Sequence, residues 1–415
     1  MSEKTVWDVV VIGGGPAGMI AAGRAAERGR RVLLLEKNPT LGKKLLITGG
    51  GRCNITNNKL DVREMLAKYK ESGKYLFSAF TQFGVKETIE FFNGQGLTLK
   101  EEAEGRMFPA SNKARSVWDA LVLYMRKGGV RIRTNAEVVG ITHEKSSGQM
   151  LITLADTLEV RAQSCVIACG GISRPLTGST GDGFRWLKRM GHTIAKNNLA
   201  LVPIRLKDPW IKKLAGVALS NIKLTTYESG VKQASYKGKL LFTHVGMSGP
   251  AVLNMSRDVG ELLHGGEVVI MLDVFPAFDI GALREKLKIL LIDQSNKKIK
   301  NVLSSLIPSA LVDPALKMTG INADTPCHSV RSEERKKLVD VLKSIPLHVS
   351  GLLGEDKAVV SSGGVMLNQV NFKTMQSRIV PQLFLAGDML NINRQSGGYS
   401  LQICWTTGYI AGSNC

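Results

Sequence analysis

Residues 6–12, Val-Trp-Asp-Val-Val-Val-Ile, form a short apolar run rich in β-branched side chains that ends at a cluster of glycines, the pattern of a buried strand. Small and helix-forming residues follow from Pro16 to Glu27, with Gly29 as the stop, so this stretch predicts a helix. A second apolar strand is expected at 31–36. Strand, helix and strand in such close succession make a βαβ unit with parallel strands and a right-handed crossover. A glycine-rich loop occupies 42–54, an interrupted helical stretch runs from about 60 to 94, and a further helix is expected at 113–127. Short strands between 130 and 160 lead to buried strands at 165–168 and, far downstream, 382–386, before a final helix near 400–410.

Between these ends the pattern changes. Strand-like stretches at 200–206, 215–226, 231–242 and 266–274, separated by turn signals, suit a small antiparallel barrel or sandwich. Leu283, Leu287, Leu290 and Leu291 then fall on one helical face, and 333–343 reads similarly. The expected organisation is an α/β chain with a discontinuous dinucleotide-type domain, 1–192 plus 350–415, into which a β-barrel-like unit, 193–277, and a small helical unit, 278–349, are inserted.

Gly13-Gly14-Gly15-Pro16-Ala17-Gly18 sits between the first strand and helix and contains Gly-x-Gly-x-x-Gly. The first glycine permits a tight turn, the second lets backbone approach a pyrophosphate, and the third lets helix and strand pack closely. The helix N-terminus supplies free N–H groups for the phosphates. Glu36 closes the second strand, where an acid accepts hydrogen bonds from an adenosine ribose, which favours FAD or NAD over NADP. Two later features favour FAD. Thr48-Gly49-Gly50-Gly51-Arg52-Cys53-Asn54 is a second glycine-rich loop, placed to line the pyrophosphate and reach the reactive ring. Ala386-Gly387-Asp388 ends a strand, and an Asp there can hold the hydroxyls of a ribityl chain. The helix that starts after Gly397-Gly398-Tyr399 would turn its N-terminus toward the flavin pyrimidine edge.

At this point the sequence resembles the glutathione-reductase-type FAD-binding superfamily. More narrowly it is similar to the BaiN-like (YhiN-type) flavoproteins, also called the aminoacetone-oxidase family. The stretches that carry the likeness are Lys43 to Asn57, Gly178 to Gly183, Phe242 to Pro250 and Gly397 to Gln402. The resemblance implies a Rossmann-like FAD domain of glutathione-reductase type with an inserted β-barrel and a small helical domain. It also implies activities that range from reduction of unsaturated steroid rings to amine oxidation. The residues expected at the cofactor are Gly13, Gly15, Pro16, Ala17, Gly18, Glu36, Lys37, Lys43, Lys44, Thr48, Gly49, Gly50, Gly51, Arg52, Cys53, Asn54, Val138, Gly387, Asp388, Gly398, Tyr399 and Leu401.

No second Gly-x-Gly-x-x-Gly lies between 40 and 380, so a dedicated nicotinamide domain is not expected, and NAD(P)H would visit the flavin transiently. Cys53 has no partner thiol five residues on, where Asn58 stands, and is read as a structural thiol. The six cysteines form no disulfide framework, and no set of four zinc ligands gathers in the sequence. His244, before the turn Gly246–Pro250, is the histidine to consider as an acid, a base or a substrate hydrogen-bond donor, or else as the residue that holds the turn. Arg174, Tyr399 and Arg394 are candidates for orienting a substrate.

Composition changes one part of this picture. With 44% hydrophobic and 22% charged residues the chain is ordinary globular material. The uncharged run Val9 to Gly23 is glycine-rich and too short to span a bilayer, and it does not read as a signal peptide. A cytoplasmic protein that acts on a small molecule is expected, without a membrane partner. The formal charge of +20, from 55 basic and 35 acidic residues, supports an alternative, a nucleic-acid-associated flavoprotein of tRNA-modifying type. The basic clusters at 297–300 and 335–337 lack interleaved aromatics, and a solvated helix face is their plainer explanation.

Overall fold

The computed structural model describes residues 6–354 and 360–415. The chain divides into two compact units, Met1–Leu199 with Ala358–Cys415, and Ala200–Lys357.

In the first unit, Val6–Ile12 is a central strand, parallel to Val32–Leu35 on one side and Glu159–Ile167 on the other. Arg131–Arg133 and Leu383–Leu385 extend the parallel set at either end. Val9, Val10, Val11, Leu34, Val166 and Ile167 are fully buried, as strands covered on both faces must be, which is why they read as unbroken apolar runs. Antiparallel strands, Val138–Glu144 with Gln149–Leu154 and Val370–Asn371 with Gln376–Ser377, complete a nine-stranded sheet.

The helix Pro16–Glu27 packs against the terminal helix Tyr399–Asn414. Their backbones touch. A Cβ on Gly408 would lie 2.4 Å from the Ala17 carbonyl, and one on Gly412 would lie 2.3 Å from that of Ala21. The terminal helix is buried nearly all round, so its polar residues bond internally. Gln402 Nε2 donates to Thr88 Oγ1 (2.8 Å) and Gly84 O (3.1 Å), while its Oε1 accepts from Thr56 (2.6 Å). Thr407 Oγ1 accepts from Gly387 N (2.9 Å), which ties the helix to the loop that follows strand Leu383–Leu385.

The second unit is a closed six-stranded barrel in the order Ile204–Leu206, Gly246–Ser248, Val231–Thr243, Ala218–Glu228, Val268–Asp273, Ile345–Leu352. The last strand differs from the sequence expectation, which placed 278–349 in a separate helical unit. Ile345–Leu352 returns to pair with Val268–Asp273 and with Ile204–Leu206, closing the barrel from beyond the helices. The helices share the barrel's core: Leu283, Leu287 and Leu291 are buried with Ile270, Leu272 and Leu347. Lys343 fixes the junction, its ammonium 2.7 Å from Asp273 and bonded to the carbonyls of Phe275 and Phe278. Leu290, expected on the inward face, is half-buried at its edge.

Candidate functional site

The chemistry-bearing residues of the first unit converge at the carboxyl ends of its parallel strands. There a cavity of about 1210 Å³, part of it open to solvent, is bounded by Ile12, Leu35, Ala168 and Ala386 at the strand ends. A crevice beyond the carboxyl ends of parallel strands is where open α/β sheets bind ligands. All the lining residues belong to the first unit.

The three glycines of the first turn divide their work as their spacing predicts. Gly13 has φ +103°, and a Cβ there would lie 2.6 Å from the Ala168 carbonyl oxygen. A Cβ on Gly18 would collide with the Gly13 carbonyl at 1.9 Å. Gly15 is different: nothing lies within 4 Å of its absent Cβ, and it lines the cavity. That open space above the N-terminus of Pro16–Glu27 is where a pyrophosphate fits, with the free N–H groups of the first helical turn as donors.

Glu36 closes the second strand and is nearly buried. Its Oε2 accepts from Gly14 N (2.7 Å), and its Oε1 accepts from Asn38 N (2.8 Å) and Asn38 Nδ2 (2.6 Å). A carboxylate offers about four lone-pair positions, so three protein bonds orient it and leave one for a ribose hydroxyl. Asn38, which sequence reasoning passed over, is therefore part of the site. Its own side-chain oxygen accepts from Lys43 Nζ at 3.0 Å. Lys37 Nζ reaches Thr180 Oγ1 (2.6 Å) and Asp182 (2.9 Å), joining the cavity wall to the Gly178–Gly183 loop. Val138 and Trp186 supply apolar wall on this side.

Lys44 lines the cavity and bonds Ser173 O (2.8 Å) and Ser173 Oγ (3.2 Å). Burial pushes its ammonium down from the ordinary lysine range, against the pull of Asp388. Asp388 lies on the wall beside Gly387 and is held in an ion pair by the buried guanidinium of Arg394. Arg394 also donates to Ser400 Oγ and Ile392 O, each at 2.9 Å. Arg394, a candidate for orienting substrate, thus holds Asp388 and the start of the terminal helix. Ser400, Leu401 and Cys404 bring the first turns of that helix to the wall. Burial pushes the Cys404 thiol up to about 12, so it stays protonated at neutral pH.

The second glycine loop is placed differently from expectation. Thr48 lines the cavity, but Gly49, Gly50, Gly51, Arg52, Cys53 and Asn54 are not among the lining residues. The three glycines take φ of +56°, +68° and +85° in succession, backbone that side chains rarely adopt. Arg52 then pairs with Glu102, donates to Asn112 and stacks over Phe108 at 4.2 Å. Cys53 is fully buried, its thiol raised to about 12 by desolvation. Asn54 accepts from Gly398 N (3.0 Å) when its amide nitrogen faces Thr56 O and Met107 O. The loop is thereby tied to the residue that precedes the terminal helix. Tyr399 is not among the lining residues and lies edge-on to Tyr69, whose hydroxyl donates to the Tyr399 carbonyl at 3.0 Å. Arg174 has φ +56° ahead of the short turn Pro175–Thr177 and does not line the cavity.

His244 lies in the second unit, exposed in the turn between Val231–Thr243 and Gly246–Ser248. Nothing in its own surroundings assigns chemistry to it. Among the described residues no helix is long and apolar enough to cross a membrane.

Two helix N-termini opening on one cavity, an acid at the end of the second strand and an Arg-held Asp at the far strand end fit an FAD-dependent oxidoreductase with a Rossmann-type α/β fold. The chain belongs to the HI0933-like family: the family model described as HI0933-like protein Rossmann domain matches residues 7–414. It is 31% identical over 405 residues to the 3-dehydro-bile acid delta(4,6)-reductase of Clostridium scindens, covering 97% of each chain. It is 30% identical over 406 residues to the ribosomal RNA dihydrouridine synthase of Escherichia coli, covering 97% of this chain and 96% of that one. Among solved structures, a 3-ketosteroid-delta4-(5alpha)-dehydrogenase from Rhodococcus jostii shares the fold with a TM-score of 0.54 at 14% identity. That match covers 100% of this chain and 97% of the other.

Proposed function

We propose that this protein reduces a carbon–carbon double bond conjugated to a carbonyl in a small organic substrate. The observation that carries this reading is what two full-length relatives have in common. A 3-dehydro bile acid with a Δ4 bond is an enone, and uridine becomes dihydrouridine by gaining two hydrogens across a bond conjugated to a ring carbonyl. Bound FAD, once reduced by a donor such as NAD(P)H, would supply hydride chemistry at its N5. Saturation of the bond would take that hydride at the carbon β to the carbonyl and a proton from solvent at the α carbon.

The chain's part is to bind and orient. N–H groups at the start of Pro16–Glu27 take the pyrophosphate, Glu36 takes the ribose, and Asp388, aimed by Arg394, takes ribityl hydroxyls. Free N–H groups in the first turn of Tyr399–Asn414 and the nearby Lys44 favour the negative charge of a reduced flavin edge. The test is anaerobic. NADH or NADPH should bleach the yellow protein, and a 3-oxo-Δ4 steroid or another enone should restore the colour with one equivalent of saturated product. Oxidised flavin bleached by amines, or reduced flavin that regains its colour with oxygen and never with enones, would overturn the reading.

A second reading takes the conjugated bond to be that of a uracil base in RNA. The specific observation is the charge: one carboxylate on a bile acid needs one cation, whereas a net +20 suits a polyanion.

A further inference from the structure

The basic residues of the second unit are unevenly placed. Ala200–Lys357 holds 22 Lys and Arg against 16 Asp and Glu, and eight of those cations but only two of the acids lie between 205 and 245. The remainder of the unit balances, 14 against 14. The balance is local as well. In the helical part Lys298 and Lys300 share Asp324, Lys336 pairs with Glu333, Lys317 with Asp313 and Lys288 with Glu285. The clusters that looked basic in sequence are thus partly neutralised, with Lys298, Lys300 and Lys336 paired to neighbouring carboxylates.

The barrel ribbon is not. Strands alternate their side chains between faces. Ile222 and Leu224 point inward on one strand, and Leu240 and Phe242 do so on the other. This places Lys223 and Tyr227 outward on Ala218–Glu228, and Lys237 and Lys239 outward on Val231–Thr243; a register shift between Thr225 and Tyr227 then brings Lys232 opposite Tyr227 on the same face. The register sets Lys223 directly opposite Lys237 and Tyr227 opposite Lys232. Like charges facing each other across a ladder are destabilising, so the arrangement works against folding. On its other side Lys223 faces Asp273, but that carboxylate is held by Lys343 at 2.7 Å and accepts from Phe275 N. At the end of the same ladder Lys212 and Lys213 are exposed on Pro209–Leu214, a segment joined to the ribbon by Gly216 N to Phe242 O at 3.0 Å. Among the described residues none of these six lysines makes an ion pair.

We propose that this outward ribbon face is an RNA-docking surface, with Lys223, Lys232, Lys237 and Lys239 as phosphate contacts and Tyr227 as a flat side chain among them. The proposal rests on the RNA reading above and gives it a location. A row of unpaired cations on a stiff ribbon answers a row of phosphates, and a half-buried tyrosine within the row offers what the helical clusters lack, a surface for a base.

The test compares the full-length FAD-loaded protein with its K223Q/K232Q/K237Q/K239Q variant, using a labelled RNA hairpin with unpaired uridines and a salt titration. Each lost phosphate contact removes about 0.7–0.9 from the log–log salt slope, so the variant's slope should be shallower by roughly 3. Affinity should fall most at low salt, while flavin spectrum and flavin reduction rate stay at wild-type values and the melting temperature stays level or rises as the facing lysines are removed. K298Q/K300Q, which alters lysines already paired, should leave the slope unchanged. Wild-type binding with an unaltered slope in the ribbon variant would overturn this surface and leave the RNA reading standing. A wild type that retains no RNA, or that binds only anionic phosphatidylglycerol vesicles, would overturn both.

Discussion

Gly15 and Gly18 stand three positions apart in one turn and are constrained for opposite reasons. Gly15 has φ −80°, an ordinary conformation, and open space where its Cβ would be. G15A should fold with an unchanged apoprotein melting temperature and bind FAD at least tenfold more weakly, because the methyl enters the phosphate position. In G18A the methyl meets the Gly13 carbonyl, and overpacking of this kind costs about 1–3 kcal/mol. Its apoprotein should melt earlier. Equal melting temperatures for both apoproteins would contradict the division of roles. Lys44 gives a pH-dependent test. Its folded-state pKa is lowered by burial, so its charged form penalises the apoprotein below that pKa, and the penalty fades as pH rises toward the unfolded value. The stability advantage of apo K44M over wild type should therefore shrink between neutral and alkaline pH in denaturant titrations, while its FAD affinity is reduced. A gap that widens with pH would have the sign wrong.

The terminal helix carries more of the site than its position at the end of the chain suggests. Gly408 and Gly412 let it lie against Pro16–Glu27, so the two N-termini that face the cavity are set by one helix–helix contact. G408V should destabilise the fold and release FAD together, although residue 408 does not line the cavity; thermal melts and flavin retention on gel filtration read both. Stable G408V protein with full flavin content would break that link. The elements around this contact were legible in the sequence because buried parallel strands and glycine turns are local signals: 6–12, 16–27 and the Gly13–Gly18 turn needed no tertiary information. The loop at 48–54 was not. Three consecutive left-handed glycines send Arg52 to Glu102 and Phe108, partners about fifty residues away that nothing local announces. Asn38 was also missed, although it lies two residues past the ribose acid and could have been noticed as a short-range partner for that carboxylate.

For the whole molecule, the sequence showed where its character changes but not how the insertion closes. The barrel's last strand follows four helices, and pairing at such separation is set by the barrel rather than by the local pattern of 345–352. Charge behaves the same way. Counting along the chain pointed to 297–300 and 335–337, whereas ion pairing in three dimensions engages Lys298, Lys300 and Lys336 there and none of the ribbon lysines among the described residues. Bound FAD should stabilise the protein by mass action, by about 4 kcal/mol at a thousandfold excess over its dissociation constant, so flavin-stripped protein should melt earlier and recover when FAD is returned.

The most direct measurement is a stoichiometric titration without oxygen. Purified protein, reduced through its flavin and freed of excess reductant, receives a conjugated enone in one series and a uridine-containing RNA hairpin in another. The account predicts one FAD per chain and return of the oxidised flavin spectrum in step with one saturated carbon–carbon bond per flavin, in at least one of the two series. Protein that takes up no FAD, or reduced flavin that survives both series and yields only to oxygen, would contradict it.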